Sequence, residues 1–348
     1  MDDAPMVADF GTSIAMTDRF EQITAFLAQT DWANATRTFL AGDASARRYE
    51  RLTNPDGITA VLMDAPPESG EKIQPFVQIS RHLSAHGFSA PEIYAEDAEA
   101  GLILLEDLGD DLFTRVISAD PQSETQLYQA ACDVLIRLHQ IDCPPLTVFD
   151  PSLMTEQAGL VFPSYQQVIT GQPMPDALAS FQTVLKDILA RYTQAKPVMI
   201  LRDYHAENLL WLPDRIGVAQ VGLLDFQDAL IGHPAYDLVS LLQDIRCTVS
   251  PETETATIRH YITQTGTDEQ PFKTAYAVLG VQRNLRILGV FARLATEYGK
   301  PHYVDLIPRV WDHVTRGLQH PALTPLADIL IPALPSGTPE NLQHLRLP

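Results

Sequence analysis

The segment Leu201-Arg202-Asp203-Tyr204-His205-Ala206-Glu207-Asn208 restricts the fold of this chain more than any other. Val198 to Leu201 is an apolar run that enters it, and Leu209 to Leu212 is an apolar run that leaves it. Pro213-Asp214-Arg215 then reads as a turn, and Val218 to Leu224 returns as a strand ending on Asp225. Loop, hairpin and strand-end acid in that order bring three polar side chains to one place: a carboxylate, a carboxamide five positions on, and a second carboxylate.

Those residue types at that spacing suit phosphoryl transfer. The reaction asks little covalent chemistry of a protein, which must mainly hold a hydroxyl in line with the γ-phosphate and neutralise spreading charge. In the general template an Asp accepts the hydroxyl proton, while an Asn five residues later and a further Asp hold Mg²⁺. Here Asp203 takes the place of the base, and Asn208 and Asp225 those of the metal ligands. Mg²⁺ takes oxygen ligands and leaves the rest of its octahedron to phosphates and water, so no histidine or thiol is needed. ATP and Mg²⁺ are the expected cofactors.

The loop resembles that of the aminoglycoside phosphotransferase and choline kinase-like family, written His-Gly-Asp-x-His-x-x-Asn, with Leu201 and Arg202 in place of its His and Gly. Other segments resemble the branch of bacterial cell-wall sugar kinases that phosphorylate N-acetylmuramate and N-acetylglucosamine at the anomeric hydroxyl. These are Gly42 to Tyr49, Met63 to Pro67, Leu105 to Gly109, Asp225 to Ala229, and Gln282-Arg283 through Phe291-Ala292-Arg293-Leu294, so the likeness spans about residues 17 to 325.

The resemblance implies an α+β, two-lobed protein-kinase-like fold. A small β-rich N-lobe over 17–108 would bind nucleotide, and a larger, mainly helical C-lobe over 109–331 would carry catalysis and the acceptor. It implies that His205 braces the catalytic loop and that Asp237 anchors its backbone. It also places an interlobe hinge at Glu106 to Gly109, where the backbone of Asp107 and Leu108 would meet adenine. Gln227 and Asp228 follow Asp225 closely enough to face the acceptor, or else they shape the turn. Arg283, Arg286 and Arg293 share one long helix, where a solvated face is the ordinary use; the sugar-kinase likeness would turn Arg283 or Arg293 toward a sugar-acid carboxylate.

The nucleotide-phosphate side departs from the wider kinase pattern. Gly42 to Ala46 has the small residues of a phosphate-covering loop, but a single glycine. The strand Ala60-Val61-Leu62-Met63 holds no lysine, and Lys72 is the nearest downstream. From Thr36 to Met63 four bases, Arg37, Arg47, Arg48 and Arg51, outnumber three acids, Asp43, Glu50 and Asp56, in a chain of net charge −20. Arg47, Arg48 and Lys72 are therefore the candidates for the nucleotide phosphates, against the plain alternative of solvated strand arginines.

The 348 residues leave room for two domains. With 24 basic against 44 acidic residues, a nucleic-acid partner is not expected, since one normally requires a basic stripe. The absence of a run of about eighteen apolar residues argues against a membrane span. Residues 1–16 read as a loose arm without the basic start of a signal peptide, with Met16 an alternative initiator and the first helix beginning near Thr17. Three widely separated cysteines fit a reducing cytoplasm. Strands come first, with a turn at Asn54-Pro55-Asp56-Gly57, and helices follow over 72–86, from Pro121, and over 175–193, 234–246, 270–297 and 302–318. The tail from 332 to 348, broken by Pro332, Pro335 and Pro339, is expected to be irregular.

Three functions follow. The first is an ATP-dependent kinase for the anomeric hydroxyl of an amino sugar; the second is a kinase for an aminoglycoside or amino alcohol; the third is a catalytically silent nucleotide-binding module, which the missing strand lysine would favour.

Overall fold

The structure, a computed structural model, describes residues 10–41 and 47–346, with side chains from 19 to 40 and from 47 onward. The expected covering loop Gly42 to Ala46 and the start of the arm lie outside the described residues. The described chain divides into two compact units, residues up to 86 with 90–109, and residues 87–89 with 110 onward. Among the described residues no helix is long and apolar enough to cross a membrane.

The first unit opens with helix α1, Phe10–Leu27. It begins seven residues before the expected Thr17, so the arm read over residues 1–16 overlaps the helix from Phe10. A five-stranded antiparallel sheet follows, built from β1 (Thr36–Ala41), β2 (Arg48–Thr53), β3 (Thr59–Asp64), β4 (Ile93–Asp97) and β5 (Leu102–Glu106) in the order β1-β2-β3-β5-β4. The expected turn joins β2 to β3. Asn54 Oδ1 accepts from the Asp56 and Ile58 amides at 3.0 and 2.9 Å, and Gly57 takes φ +80, which only a residue without Cβ adopts freely.

Strand alternation then sorts the side chains. Ala60 and Leu62 of β3 and Leu102 and Leu104 of β5 join Leu52, Ile23, Phe26 and Leu27 in one core cluster. Met63, Ile103 and Leu105 on the alternate positions are buried as well, so both faces of the middle strands are covered. Each such side chain contributes about 1.5–3 kcal/mol by leaving water. Gly101 cannot be replaced here: it has φ +68, and an added Cβ would stand 2.0 Å from the Ala65 carbonyl oxygen. After β3 comes α2, Gln74–Ala85, close to the expected helix.

The second unit is mainly helical. Its elements are α3 (Phe113–Ala119), α4 (Glu124–Leu138), α5 (Pro151–Gly159), α6 (Gln167–Thr170), α7 (Pro175–Tyr192), α8 (Ala235–Leu242), α9 (Pro251–Thr265), α10 (Glu269–Thr296), α11 (Ile307–Leu318), α12 (Thr324–Ala333) and α13 (Pro339–Leu342). Leu127, Val134, Leu135 and Leu138 of α4 are all buried, as the periodicity requires. Two short antiparallel strand pairs interrupt the helices: β6 (Val198–Ile200) with β9 (Leu230–Gly232), and between them in the chain the hairpin β7 (Leu209–Trp211) with β8 (Val221–Leu223).

Helix α10 spans about 42 Å at 1.5 Å per residue and is buried nearly all round from Thr274 to Ala295. That makes it a core helix rather than one with a broad solvated face. At Gly289 an added Cβ would meet the Leu160 and Val161 backbone at 2.7 Å, so the glycine allows that close approach. The tail also differs from expectation. α12 runs through Pro332 to Ala333, and the Leu334 amide still closes its last turn on the Leu330 carbonyl at 2.9 Å. Pro339 opens α13, and buried Leu342 and Leu345 with the Tyr165 hydroxyl donating to the Pro335 carbonyl at 2.9 Å tie the tail down.

Candidate active site

Strands β6 and β7 carry the chain into and out of the loop 201–208, and β8 returns it to Asp225. Leu224 N–H donates to the Asn208 carbonyl at 2.9 Å, which closes the two arms on each other. Asn208 Nδ2 donates to the Asp203 carbonyl at 2.9 Å and lies 3.5 Å from Asp225 Oδ2. The expected base and metal ligands therefore share one site. No described residue bonds the Asp203 carboxylate, which is half-buried.

Two non-glycine residues in this small region have positive φ, Arg202 at +70 and Asp225 at +55. Both conformations are strained for an L side chain and persist only where neighbours over-determine them. At Arg202 the neighbours are visible. Buried Asp237 at the start of α8 accepts from the Leu201 and Arg202 amides at 2.6 and 2.9 Å, and the Asp203 amide donates back to the Leu201 carbonyl at 2.9 Å. Burial pushes the Asp237 carboxyl up to about 7, against the two amides and Arg283, which pull it down. Asp237 lies where the loop resemblance requires a backbone anchor.

Further bonds tie the loop to helices. Tyr204, fully buried, donates from its hydroxyl to the Ala131 carbonyl of α4 at 2.8 Å. Asp244, also buried, accepts from the Ala206 amide at 3.3 Å. His205 Nε2 stands 3.4 Å from Asn208 Nδ2 and 3.5 Å from Arg246 Nη1. Burial holds its ring neutral, with the pKa lowered to about 4 although Asp244 and Asp203 raise it. The ring in that place therefore carries no charge near neutral pH.

The remaining candidates are placed less uniformly. Gln227 does not turn outward: its Nε2 donates to Asp225 Oδ1 at 2.7 Å, which orients the carboxylate. Asp228 is exposed, and its carbonyl receives a long contact from Arg202 Nη1 at 3.5 Å. Arg283, expected on a solvated face or at an acceptor, is 4% exposed and donates to Ser240 Oγ at 2.7 Å. Its place in the core helix α10 rules out the solvated face. Arg293 lies ten residues further on, about 15 Å along the helix, and is not brought to the loop.

In the first unit Arg47 pairs with Glu71 at 2.8 Å. That contact puts Arg47 beside Lys72 and, through the chain, beside Arg48; the latter two are exposed. The other arginines of the region are engaged: Arg37 with Glu50 at 2.6 Å and Arg51 with Asp107 at 2.7 Å. The local excess of positive charge counted in the sequence is thus largely offset by acids. The Asp107 carboxylate also accepts from the Gly109 amide at 3.0 Å, so this side chain is engaged within its own segment as well as with Arg51.

The residues that sequence reasoning passed over are Ser240, Tyr204 and Asp244. A signal was present. Asp237, Ser240 and Asp244 recur at three and four positions within the stretch Ala235 to Ile245, which is apolar apart from these and Gln243, and buried polar groups in such a stretch must find hydrogen-bond partners.

A small antiparallel sheet unit and a larger, mainly helical unit define a protein-kinase-like fold. A choline/ethanolamine kinase family protein from Mesorhizobium loti superposes with TM-score 0.62, at 14% identity, over 94% of this chain and 99% of its own. Choline kinase from Streptococcus pneumoniae gives 0.61 at 16% identity over 87% and 99%. The chain matches the phosphotransferase enzyme family over residues 36–272 and belongs to it. It is therefore a small-molecule phosphotransferase rather than a silent nucleotide-binding module. It is 38% identical over 339 residues to the N-acetylmuramate/N-acetylglucosamine kinase of Caulobacter vibrioides, covering 87% of this chain and 93% of that one. The enzyme of the same name from Pseudomonas aeruginosa is 32% identical over 308 residues, with 85% and 88% covered.

Proposed function

We propose that the protein is a cytoplasmic kinase that uses ATP and Mg²⁺ to phosphorylate N-acetylmuramate and N-acetylglucosamine on the anomeric oxygen. The observation that carries the acceptor is the identity, 38% and 32% over most of the chain, to relatives bearing that name. Likeness to choline kinases is at 14–16% identity and supports the fold alone.

The Asp203 carboxylate accepts the proton of the acceptor hydroxyl as its oxygen bonds the γ-phosphorus and the bond to the ADP oxygen breaks. An anomeric hydroxyl is more acidic than an ordinary alcohol and suits so weak a base. Asn208 and Asp225 suit a hard cation. The Asn208 amide nitrogen donates to the Asp203 carbonyl and lies 3.5 Å from Asp225 Oδ2, so the other amide atom, Oδ1, is the oxygen this side chain could give a cation. Among the described residues no three His, Cys, Asp or Glu side chains form a metal cluster, which suits an ion that takes one or two protein oxygens and the rest from phosphates and water. When bound, Mg²⁺ neutralises charge on the transferring phosphate. The main chain of Asp107 and Leu108 serves adenine, and Arg47, Arg48 or Lys72 the phosphates.

The test is ADP release with ATP, Mg²⁺ and a panel of amino sugars, aminoglycosides and amino alcohols, followed by mild acid. A glycosyl phosphate hydrolyses there, so phosphate and a reducing sugar should both return. An acid-stable product excludes the anomeric position, and turnover of aminoglycosides or amino alcohols alone replaces the acceptor.

A further inference from the structure

Arg283 is a buried cation that the chemistry above does not use. Its Nη2 donates to Ser240 Oγ at 2.7 Å, while Nε and Nη1 are buried without a hydrogen-bond partner among the described residues. No carboxylate pairs with it at ion-pair distance among them. Replacing buried ionic groups with apolar ones of similar volume is often neutral or stabilising, so stability is a poor reason for an arginine in this place. Its surroundings give a better one. Burial pulls the guanidinium below the ordinary arginine range, while Tyr236, Asp203 and Asp244 support its charge. It thus stands within electrostatic reach of the base.

The Ser240 hydroxyl has one proton and free lone pairs, and both are used: it accepts from Arg283 and donates to the Arg202 carbonyl at 3.0 Å. That carbonyl belongs to the planar peptide whose other end is the Asp203 nitrogen. Asp237 holds the two preceding amides, so the Ser240 bond fixes the one peptide that Asp237 does not, beside the strained Arg202. We propose that Arg283 and Ser240 form a positioning relay: the buried guanidinium orients the Ser240 hydroxyl, which fixes the Arg202–Asp203 peptide and so aims the Asp203 carboxylate. The relay rests on Asp203 being the base.

The test compares Ser240→Ala, Arg283→Met and Arg283→Lys, each alone and combined with Asp203→Asn. In the otherwise native chain, Ser240→Ala and Arg283→Met should lower kcat about 10- to 100-fold, the scale of a small misplacement of a reacting group, with KM for ATP within about twofold. Arg283→Lys, which still donates, should retain more activity than Arg283→Met. With Asp203→Asn already present, neither change should lower the residual rate further by more than about twofold, because groups acting through one another are not additive. Equal losses in both backgrounds, or no loss in either, would overturn the relay. Should Asp203→Asn itself leave turnover unchanged, it is the base assignment that fails. Amide exchange at Leu201 to Asp203 reports on the relay without any acceptor: it should quicken in Ser240→Ala, and unchanged exchange would also overturn it.

Discussion

The sheet unit and the helical unit hold their charged groups in different ways. In the sheet unit arginines are matched to acids: Arg19 to Asp64, Arg37 to Glu50, Arg47 to Glu71 and Arg51 to Asp107, at 2.6 to 2.8 Å. In the loop of the helical unit, buried side chains instead hold backbone. Asp237 and Ser240 take the amides and carbonyl of Leu201 and Arg202, and the Asp203 carboxylate is left without a described partner. A carboxylate on a fixed backbone is ready to accept a proton. An arginine already paired with glutamate must share or leave that partner before it can bind phosphate. The first arrangement predicts large losses from single substitutions; the second predicts smaller ones.

The largest expected effect is at Asp203. Asp203→Asn keeps the shape and removes the proton acceptor, so kcat should fall about 10²–10⁴-fold, or roughly 3–5 kcal/mol of barrier. ATP affinity should change little. Steady-state ADP release measured against ATP concentration separates the two, and near-native turnover would remove Asp203 from the mechanism.

Next come Asn208→Ala and Asp225→Ala. Each removes one oxygen from a cation that tolerates few substitutions in its octahedron. The Mg²⁺ concentration for half-maximal activity should rise about tenfold or more, since even the partners of metal ligands contribute 10- to 100-fold. Gln227→Leu tests the orientation of Asp225 by the 2.7 Å bond and should give a weaker shift of the same sign. An unchanged Mg²⁺ dependence in both ligand variants contradicts the assignment.

The contrast also explains what could be read from the chain. The proposed base and metal-site positions are local: a five-residue spacing, two flanking apolar runs and a strand-end acid carry Asp203, Asn208 and Asp225 together in any fold that pairs those runs. Strand-forming runs and the Asn54 to Gly57 turn were legible for the same reason. Burial is not local. Arg283 looked like one of three surface arginines until α10 proved to be packed on nearly all sides. The pairing of Arg51 with Asp107 joins residues 56 positions apart, and nothing in either neighbourhood announces it. Nor does sequence periodicity tell that α12 runs through Pro332 instead of stopping before it.

A third prediction tests the paired arginines. If Arg47 serves the nucleotide phosphates, Arg47→Ala should raise KM for ATP about tenfold, which is about 1.4 kcal/mol and near the low end for a charged hydrogen bond. Glu71→Gln should then lower KM slightly, because it frees the guanidinium from a competing carboxylate at 2.8 Å. Arg48→Ala and Lys72→Ala are the comparison variants. If none of the three substitutions alters the ATP dependence, phosphate binding by this part of the sheet unit is wrong.

The smallest effect concerns stability and needs no substrate. Two histidines of the helical unit, half-buried His139 and buried His233, are held neutral chiefly by loss of solvation: His139 is lowered to about 3 and His233 to about 4. The unfolded chain takes up protons near pH 6.5 that the folded form refuses until about 4 or below, so stability is lost as pH falls through that window. Each group contributes a slope of at most about 1.4 kcal/mol per pH unit. His139→Gln keeps a polar partner for the Tyr261 hydroxyl, 2.9 Å from His139 Nδ1, and cannot take up the proton. Its melting temperature should therefore fall less steeply between pH 6.5 and 4 than that of the native chain, by a few degrees. Amide exchange should also quicken in peptides of the helical unit before those of the sheet. A native melting temperature flat across this window would contradict the histidine linkage, and sheet peptides opening first would place the acid effect on the paired carboxylates of the sheet instead.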